Sequence, residues 1–126
     1  MQNQPRIGAM TPLHIVGDVE ASVAFYRRMG FATLYQEDGF AMLARDGAQL
    51  MVKSVDGLSA QPNPSRHPWL KWDVYIGTPD PDALAGEFAA AGLSFHRALG
   101  ATSDGQRGFE IADPDGYVLF VGHPQM

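Results

Sequence analysis

Two stretches of the chain carry apolar residues at helical spacing. Each follows an aspartate that suits the N-cap of a helix, Asp18 in the first case and Asp80 in the second. Gly30 and Gly92 stand where a helix is expected to end, and Pro81 suits the first turn of the second helix. The sequence therefore predicts two amphipathic helices, with apolar stripes formed by Val19, Val23 and Tyr26 in the first and by Leu84, Phe88 and Ala91 in the second.

The remaining apolar segments are short, and several are separated by Asp-Gly pairs, which favour tight hairpin turns. The resulting order is strand, helix and three strands, and it occurs twice. This order predicts an α+β fold of two tandem βαβββ units. The predicted strands are Leu13–Val16, Ala32–Gln36, Phe40–Ala44, Gln49–Lys53, Trp69–Ile76, Ser94–Arg97, Gly108–Ala112 and Tyr117–Gly122.

The two halves of the pattern match each other as an internal repeat. The helix caps recur at an offset of 62 residues, whereas Gly39-Phe40 recurs as Gly108-Phe109 at an offset of 69. An insertion of 7 residues in the loop after the second helix reconciles these offsets. We therefore expect a single domain over residues 1–126, with a first unit at about 10–54, a linker at about 55–68 and a second unit at about 69–123.

Composition narrows the class of protein. The formal net charge is −5 and no basic cluster is present, so nucleic acid is not an expected partner. No apolar run is long enough to span a membrane, and the first ten residues have no apolar stretch of the kind that a secretion signal needs. The chain has no cysteine, which excludes disulfides and thiolate chemistry. We expect a cytoplasmic protein.

Two segments carry a resemblance to a known superfamily. Thr11–Asp18, with the sequence TPLHIVGD, resembles the opening of a vicinal-oxygen-chelate domain, and Arg107–Gly116, with the sequence RGFEIADPDG, resembles its closing hairpin. This superfamily contains glyoxalases, extradiol dioxygenases and drug-binding resistance proteins. The resemblance implies curved mixed sheets around a ligand groove, with the helices on the outer face.

Within the superfamily, the chain is most similar to the bleomycin-resistance proteins, in which aromatic side chains stack on the drug. The similar segments are Tyr35–Ala41 and the tryptophan-containing Trp69–Trp72. The chain departs from this pattern at Gly105-Gln106, where the family has an aromatic residue. The resemblance and the alternation of side chains along the strands together imply ligand contacts at Tyr35, Phe40, Met42, Met51, Trp69, Trp72, Phe109 and Phe120.

The resemblance also locates the positions at which metal-dependent members hold their ion. These positions fall near Thr11, on Met51, among Trp69–Trp72 and on Phe120, where the usual His, Gln or Glu ligands are missing. His14 lies about three residues beyond the usual ligand of the first strand, so strand alternation turns it away from the cavity. Glu110 alternates with Phe109 and is expected to be solvated or salt-bridged.

These observations favour a metal-free binding protein that sequesters a bleomycin-like or other aromatic or cationic antibiotic, with no catalytic residue, metal or cofactor. The alternative is a glyoxalase- or dioxygenase-like metalloenzyme with a non-standard site that includes His14. A third alternative is a structural dimer without a ligand. The resemblance further implies a two-fold homodimer whose grooves lie between the subunits, with Met1–Met10 as a polar arm before the first strand.

Overall fold

The computed structural model describes residues 4–125, so Met1–Asn3 of the polar arm and Met126 lie outside the described residues. The two predicted helices are present, and a further short helix lies between the units. The elements are β1 (Leu13–Ile15), α1 (Val19–Arg28), β2 (Ala32–Glu37), β3 (Phe40–Arg45), β4 (Ala48–Lys53), α2 (Asn63–Arg66), β5 (Val74–Gly77), α3 (Pro81–Ala90), β6 (Arg97–Ala101), β7 (Gln106–Ala112) and β8 (Val118–Pro124).

The strands form two four-stranded mixed sheets with the same topology. The N-terminal sheet has the order β1-β4-β3-β2, and the C-terminal sheet has the order β5-β8-β7-β6. In each sheet the strand before the helix pairs in parallel with the last strand, and the other pairs are antiparallel. The predicted α+β fold of two tandem βαβββ units is therefore confirmed.

The capping residues define the ends of α1 and α3. The Asp18 side chain accepts a hydrogen bond from the backbone amide of Glu20 at 3.0 Å, and Asp80 accepts one from Ala83 at 3.0 Å. Gly30 and the equivalent Gly92 follow the helices with φ angles of +88° and +82°, a conformation that costs glycine little. Both predicted helices thus begin and end where the sequence indicated.

One hydrophobic core joins the two units. Helix α1 contributes its predicted stripe, and α3 contributes Ala85 and Phe88, whereas Ala91 of the predicted stripe is exposed. The strand residues of this core alternate along each strand, so every sheet turns one face towards the helices. These core-facing strand residues are Ala41, Leu43, Leu50, Val52, Phe109, Ile111, Leu119 and Val121.

Polar contacts also connect the units. The Arg45 guanidinium donates to both carboxylate oxygens of Glu87, at 2.6 and 3.0 Å, and to the carbonyl oxygen of Met29 at 2.7 Å. The Arg28 guanidinium donates to the carbonyl oxygen of Gly92 at 2.6 Å, just beyond the end of α3. These bonds fix the two helices relative to each other. Within residues 4–125, no helix is long and apolar enough to cross a membrane.

Two sequence-based expectations about the second unit are wrong. The strand expected over Trp69–Ile76 is limited to Val74–Gly77, because the preceding chain folds back through α2. The Asp73 carboxylate holds this turn by accepting hydrogen bonds from the amides of Asn63 at 2.6 Å and Val118 at 2.8 Å. The first strand of the second unit therefore starts at residue 74 rather than at 69.

The second error concerns the 7-residue insertion, because six of its residues lie in a hairpin rather than in the loop after the helix. Arg97 pairs with Glu110, and twelve residues separate them, whereas six residues separate the paired Tyr35 and Met42. The hairpin formed by β6 and β7 is therefore longer than its counterpart in the first unit.

Candidate functional site

Each sheet has a second face that turns away from the helices and the core, and we call it the open face. On the N-terminal sheet, the open face carries Leu13, Tyr35, Phe40, Met42 and Met51. On the C-terminal sheet, it carries Tyr75, Glu110 and Phe120. These open faces are the surfaces on which the sequence predicted ligand contacts.

The open face of the N-terminal sheet is apolar across all four strands. Tyr35, Met42, Met51 and Leu13 are neighbours in register from β2 to β1, so their side chains form one continuous row. The Phe40 ring lies 6.1 Å from that of Tyr35, measured between centroids. Tyr35 and Leu13 are about half exposed in one chain, at 53% and 49%. The row is an uncovered apolar surface.

Polar groups border this row. The Tyr35 hydroxyl donates to the Glu37 carboxylate at 3.0 Å, and this bond raises the pKa of Tyr35. The Lys53 ammonium lies 6.0 Å from the centre of the Phe40 ring, within the range of a cation–π contact. The open face of the N-terminal sheet thus offers aromatic and thioether surfaces beside one carboxylate and one ammonium group.

An aromatic cluster covers the open face of the C-terminal sheet. The rings of Tyr75 and Phe120 stack with centroids 5.5 Å apart and planes 17° apart, and Trp72 lies 5.8 Å from Tyr75 and 6.4 Å from Phe120. Tyr75 also donates from its hydroxyl to the Gln106 side-chain oxygen at 2.7 Å. We call Trp72, Tyr75 and Phe120 the aromatic platform. Planar molecules stack favourably on such surfaces.

Two glycines make room for the Phe120 ring. Gly108 and Gly122 are neighbours in the sheet, and a Cβ atom on either would approach the ring to 2.8 Å or 2.5 Å, respectively. Any larger residue would therefore push Phe120 away from the sheet. The missing side chains leave space for the Phe120 ring against the sheet, where it is buried, and Trp72 and Tyr75 are the exposed rings of the platform.

Phe109 does not belong to the open face, which corrects its place among the expected contacts. Its ring is fully buried and packs against Phe88 of α3 at 5.9 Å and against Phe95 at 5.0 Å. The cause is one additional residue in the turn between β7 and β8. Three residues separate Asp113 from Tyr117, which share a backbone hydrogen bond, whereas two separate Arg45 from Ala48.

This additional residue changes the repeat offset for β7 from 69 to 68. Ala41 then corresponds to Phe109, and each faces the core from its own sheet. Met42 corresponds to Glu110, and each lies on the open face of its own sheet. A shift of one residue moves every side chain of a strand to the opposite face of its sheet. Glu110 consequently lies on the open face beside Phe120. The sequence predicted a solvated or salt-bridged Glu110 and did not include it among the ligand contacts.

Trp69 also lies outside the aromatic platform. It belongs to the turn before β5, is 69% exposed and stacks on His67 with ring centroids 4.6 Å apart. Tyr75, in contrast, belongs to the platform and was missed. Tyr75 directly neighbours Phe120 in the parallel pair of β5 and β8. A prediction that started β5 at Val74 would have paired these two residues and identified Tyr75 as a site residue.

The aromatic clusters of the two open faces do not touch in one chain. Within residues 4–125, no aromatic contact joins Tyr35 or Phe40 to a residue of the aromatic platform. A single chain therefore presents two separate aromatic surfaces.

Comparison with known proteins identifies the family. The model of the Glyoxalase/Bleomycin resistance protein/Dioxygenase superfamily matches residues 9–121, most of the chain. The chain belongs to this superfamily. A comparison with curated protein sequences finds no significant match.

Solved structures of the superfamily share the fold at low sequence identity. A bleomycin-binding protein in complex with bleomycin is 21% identical, with a TM-score of 0.73 over 94% of this chain and 100% of its own. A bleomycin resistance determinant from the transposon Tn5 is also 21% identical, with a TM-score of 0.72 over 95% and 100% of the respective chains. A superfamily protein from Alicyclobacillus acidocaldarius is 17% identical, with a TM-score of 0.76 over 93% and 91%.

The residues at the positions where the resemblance places the metal ligands do not fit a divalent metal ion. Met51 and Phe120 offer no nitrogen or oxygen, and Leu70 is likewise apolar. The Thr11 hydroxyl donates to the Gln49 side-chain oxygen at 2.8 Å. Among the residues that the structure describes, no group of three or more His, Asp and Glu side chains is arranged to hold a metal ion.

His14 lies away from these positions. Its ring stacks on Tyr117, with centroids 4.2 Å apart, and its neighbour in the sheet is the core residue Val52. Burial lowers the pKa of His14, although the nearby carboxylate of Asp73 partly offsets this effect. His14 is therefore on the face of β1 opposite to the open face, as strand alternation predicted.

Proposed function

We propose that this superfamily member is a metal-free binding protein that sequesters a planar aromatic small molecule, such as a bleomycin-like or another cationic antibiotic. Sequestration requires affinity and no chemistry, so it needs only complementary surfaces. The observation that carries the proposal is the aromatic platform of Trp72, Tyr75 and Phe120, where Phe120 occupies a metal-ligand position of the superfamily.

The open face of the N-terminal sheet supports the same proposal. It adds Tyr35, Phe40, Met42 and Met51, and flexible thioethers adapt to ligands of irregular shape. We further propose that two chains form a two-fold homodimer, in which the open face of one N-terminal sheet meets the partner's aromatic platform. Each groove would then hold a ligand between two aromatic surfaces. We expect the protein to act in the cytoplasm.

A screen by thermal shift tests this proposal directly. Bleomycin, phleomycin and unrelated planar antibiotics would be added to purified protein, and a ligand that binds only the folded state raises the melting temperature. We expect at least one planar compound to do so and to quench tryptophan fluorescence. Trp72→Phe should remove most of the quenching, and Trp69→Phe should retain it, because only Trp72 belongs to the platform.

Metal analysis separates this proposal from the metalloenzyme alternative. Protein purified without added metal should contain no stoichiometric zinc, manganese, iron or nickel. One equivalent of metal that disappears in His14→Ala would favour the metalloenzyme. If no compound in the screen shifts the melting temperature or the fluorescence, the structural-dimer alternative gains support instead.

A further inference from the structure

A hydrogen bond connects the aromatic platform to a strand on the other side of β8. The Tyr75 hydroxyl donates to Oε1 of Gln106 at 2.7 Å. Tyr75 belongs to β5 and Gln106 to β7, and β8 lies between these strands in the sheet. Gln106 alternates along β7 with the core-facing residues, as Glu110 does, so its side chain lies on the open face. The bond therefore crosses a whole strand on the face that we propose to bind the ligand.

A row of glycines leaves room for this bond. Gly77, Gly122 and Gly108 are neighbours in register on β5, β8 and β7, between the level of Tyr75 and that of Gln106. A Cβ atom on Gly77 would lie 3.6 Å from Cε1 of the Tyr75 ring. The Tyr75 side chain thus extends over the glycine row towards Gln106, and no side chain of the row blocks its path.

The turn of the hairpin fixes the backbone of Gln106. Its amide donates to Oγ1 of Thr102 at 2.9 Å, and its carbonyl oxygen accepts from the amide of Thr102 at 2.8 Å. The amide of Gln125 donates to the carbonyl oxygen of the preceding Gly105 at 2.8 Å. These bonds fix the point at which the Gln106 side chain begins, and the bond with Tyr75 then orients its amide group. A polar group that is already oriented loses less entropy when a ligand binds.

The nitrogen of the same amide group is available to a ligand. Within residues 4–125, Nε2 of Gln106 donates to no other protein atom, and it is not enclosed by protein. Because the oxygen and the nitrogen belong to one planar group, Nε2 lies close to the Tyr75 hydroxyl. The Tyr75 ring is itself partly exposed. Gln106 therefore offers a hydrogen-bond donor at the edge of the aromatic platform.

We propose that Gln106 determines the specificity of the ligand site, because its Nε2 donates to an acceptor atom at the edge of the planar molecule on the aromatic platform. This inference rests on the proposed function and names the class of ligand, a planar ring system with a carbonyl oxygen or a ring nitrogen at its edge. Sites of mainly apolar character use a few polar groups of this kind to orient a ligand. A ring without an acceptor would cover the donor and leave it unpaired, which weakens binding.

Two bicyclic probes of the same shape test the inference. Quinoline has a ring nitrogen that accepts a hydrogen bond and is uncharged at mildly alkaline pH, whereas naphthalene has no acceptor. Binding would be measured by ligand-observed NMR and by quenching of tryptophan fluorescence. Naphthalene leaves water more readily than quinoline, so the quantity to follow is the ratio of the two affinities in each variant. We expect the ratio to favour quinoline about fivefold more in the native protein than in a variant without the donor.

Three variants assign this difference to Gln106. Gln106→Glu can still accept the hydrogen bond from Tyr75 and has no proton to donate, so it should lose about fivefold in affinity for quinoline and nothing for naphthalene. Gln106→Met has a similar size and neither polar atom, and it gives the same comparison if the glutamate disturbs the hairpin. Gln125→Glu is the matched control, because it introduces the same charge at an exposed position nearby and should change neither affinity.

The bond with Tyr75 has its own test. Tyr75→Phe keeps the ring and removes the hydroxyl that orients the amide of Gln106. It should therefore lower the affinity for quinoline and leave the affinity for naphthalene nearly unchanged. An unaltered affinity for quinoline would show that the amide acts without this orientation, against the inference.

The other outcomes are also distinct. Unchanged binding of quinoline by both Gln106→Glu and Gln106→Met would overturn the inference and leave the proposed function standing. Equal losses for both probes would show that Gln106 affects only the shape of the platform, which overturns the inference as well. If neither probe binds, Gln106→Met is compared with the native protein on the antibiotics that raise the melting temperature, and unchanged affinity for them counts against the inference. If no compound of either kind binds, both proposals are wrong.

Discussion

The Tyr26 hydroxyl donates a hydrogen bond to the Asp113 carboxylate at 2.9 Å, and this bond joins the helix of the first unit to the last hairpin of the second. The other carboxylate oxygen accepts hydrogen bonds from the amides of Asp115 at 2.9 Å and Tyr117 at 3.0 Å. Burial nevertheless outweighs these three donors and raises the pKa of Asp113 to about 6. The junction of the two units therefore contains a titratable group.

This pKa predicts how stability depends on pH. The folded state binds the Asp113 proton more tightly than the unfolded state, so the stabilisation is complete below about pH 4 and is lost as pH rises through about 6. A shift of about two units corresponds to roughly 3 kcal/mol. Asp113→Asn keeps the shape of the side chain without the charge, so its free energy of unfolding should lack this dependence.

Urea denaturation of both proteins between about pH 4 and pH 7 measures the effect. The difference between them is the quantity to follow, because the lowered pKa of His14 acts in the opposite direction in both proteins. Relative to the native protein, Asp113→Asn should gain stability as pH rises. A difference that stays constant over this range would show that Asp113 remains ionised in the folded protein.

Phe109 and Phe40 provide a matched pair for testing the two faces. Phe109→Ala should cost about 3–5 kcal/mol of stability, because it opens a cavity beneath α3. Phe40→Ala should cost much less, since its ring is partly exposed, and it should weaken ligand binding instead. Urea denaturation gives the free energies, and Phe109→Leu provides a milder core variant. Equal costs at both positions would contradict the assignment of faces.

The same pair shows what the sequence could and could not predict. Helix caps and Asp-Gly turns are local signals, and they located α1, α3 and most strands correctly. Side-chain direction depends on the number of residues in each turn, and one extra residue between Asp113 and Tyr117 reversed the face of β7. Phe109 was therefore assigned to the site, and Glu110 was excluded from it.

Trp69 illustrates a different limit. Aromatic residues are common in strands, so the segment Trp69–Trp72 was predicted to be the start of a strand. The chain instead turns at α2, held by the contacts of Asp73 with Asn63 and Val118, which are ten and 45 residues distant. Such tertiary contacts override local propensity and leave no periodic signal in the sequence.

The last prediction concerns assembly. One chain leaves large apolar side chains exposed on both open faces. Leu13 and Tyr35 are about half exposed, and Trp72 and Tyr75 are 40% and 39% exposed. The N-terminal arm adds Ile7 and Met10, which are almost fully exposed. Apolar surfaces of this extent are rare on monomers and mark sites of association. A two-fold dimer buries such surfaces in a closed assembly.

Light scattering at micromolar concentration should give twice the 13.7 kDa mass of one chain. Leu13→Glu places a charge on the open face of β1, where burial against a partner would leave it desolvated, so this variant should be monomeric and still folded. Leu58→Glu is the control, because Leu58 is an exposed leucine of the segment between the units. A native mass of 13.7 kDa, or equal dissociation of both variants, would show that the open faces do not form the interface. The ligand would then have to bind one aromatic surface alone, since the two clusters are separate within a chain.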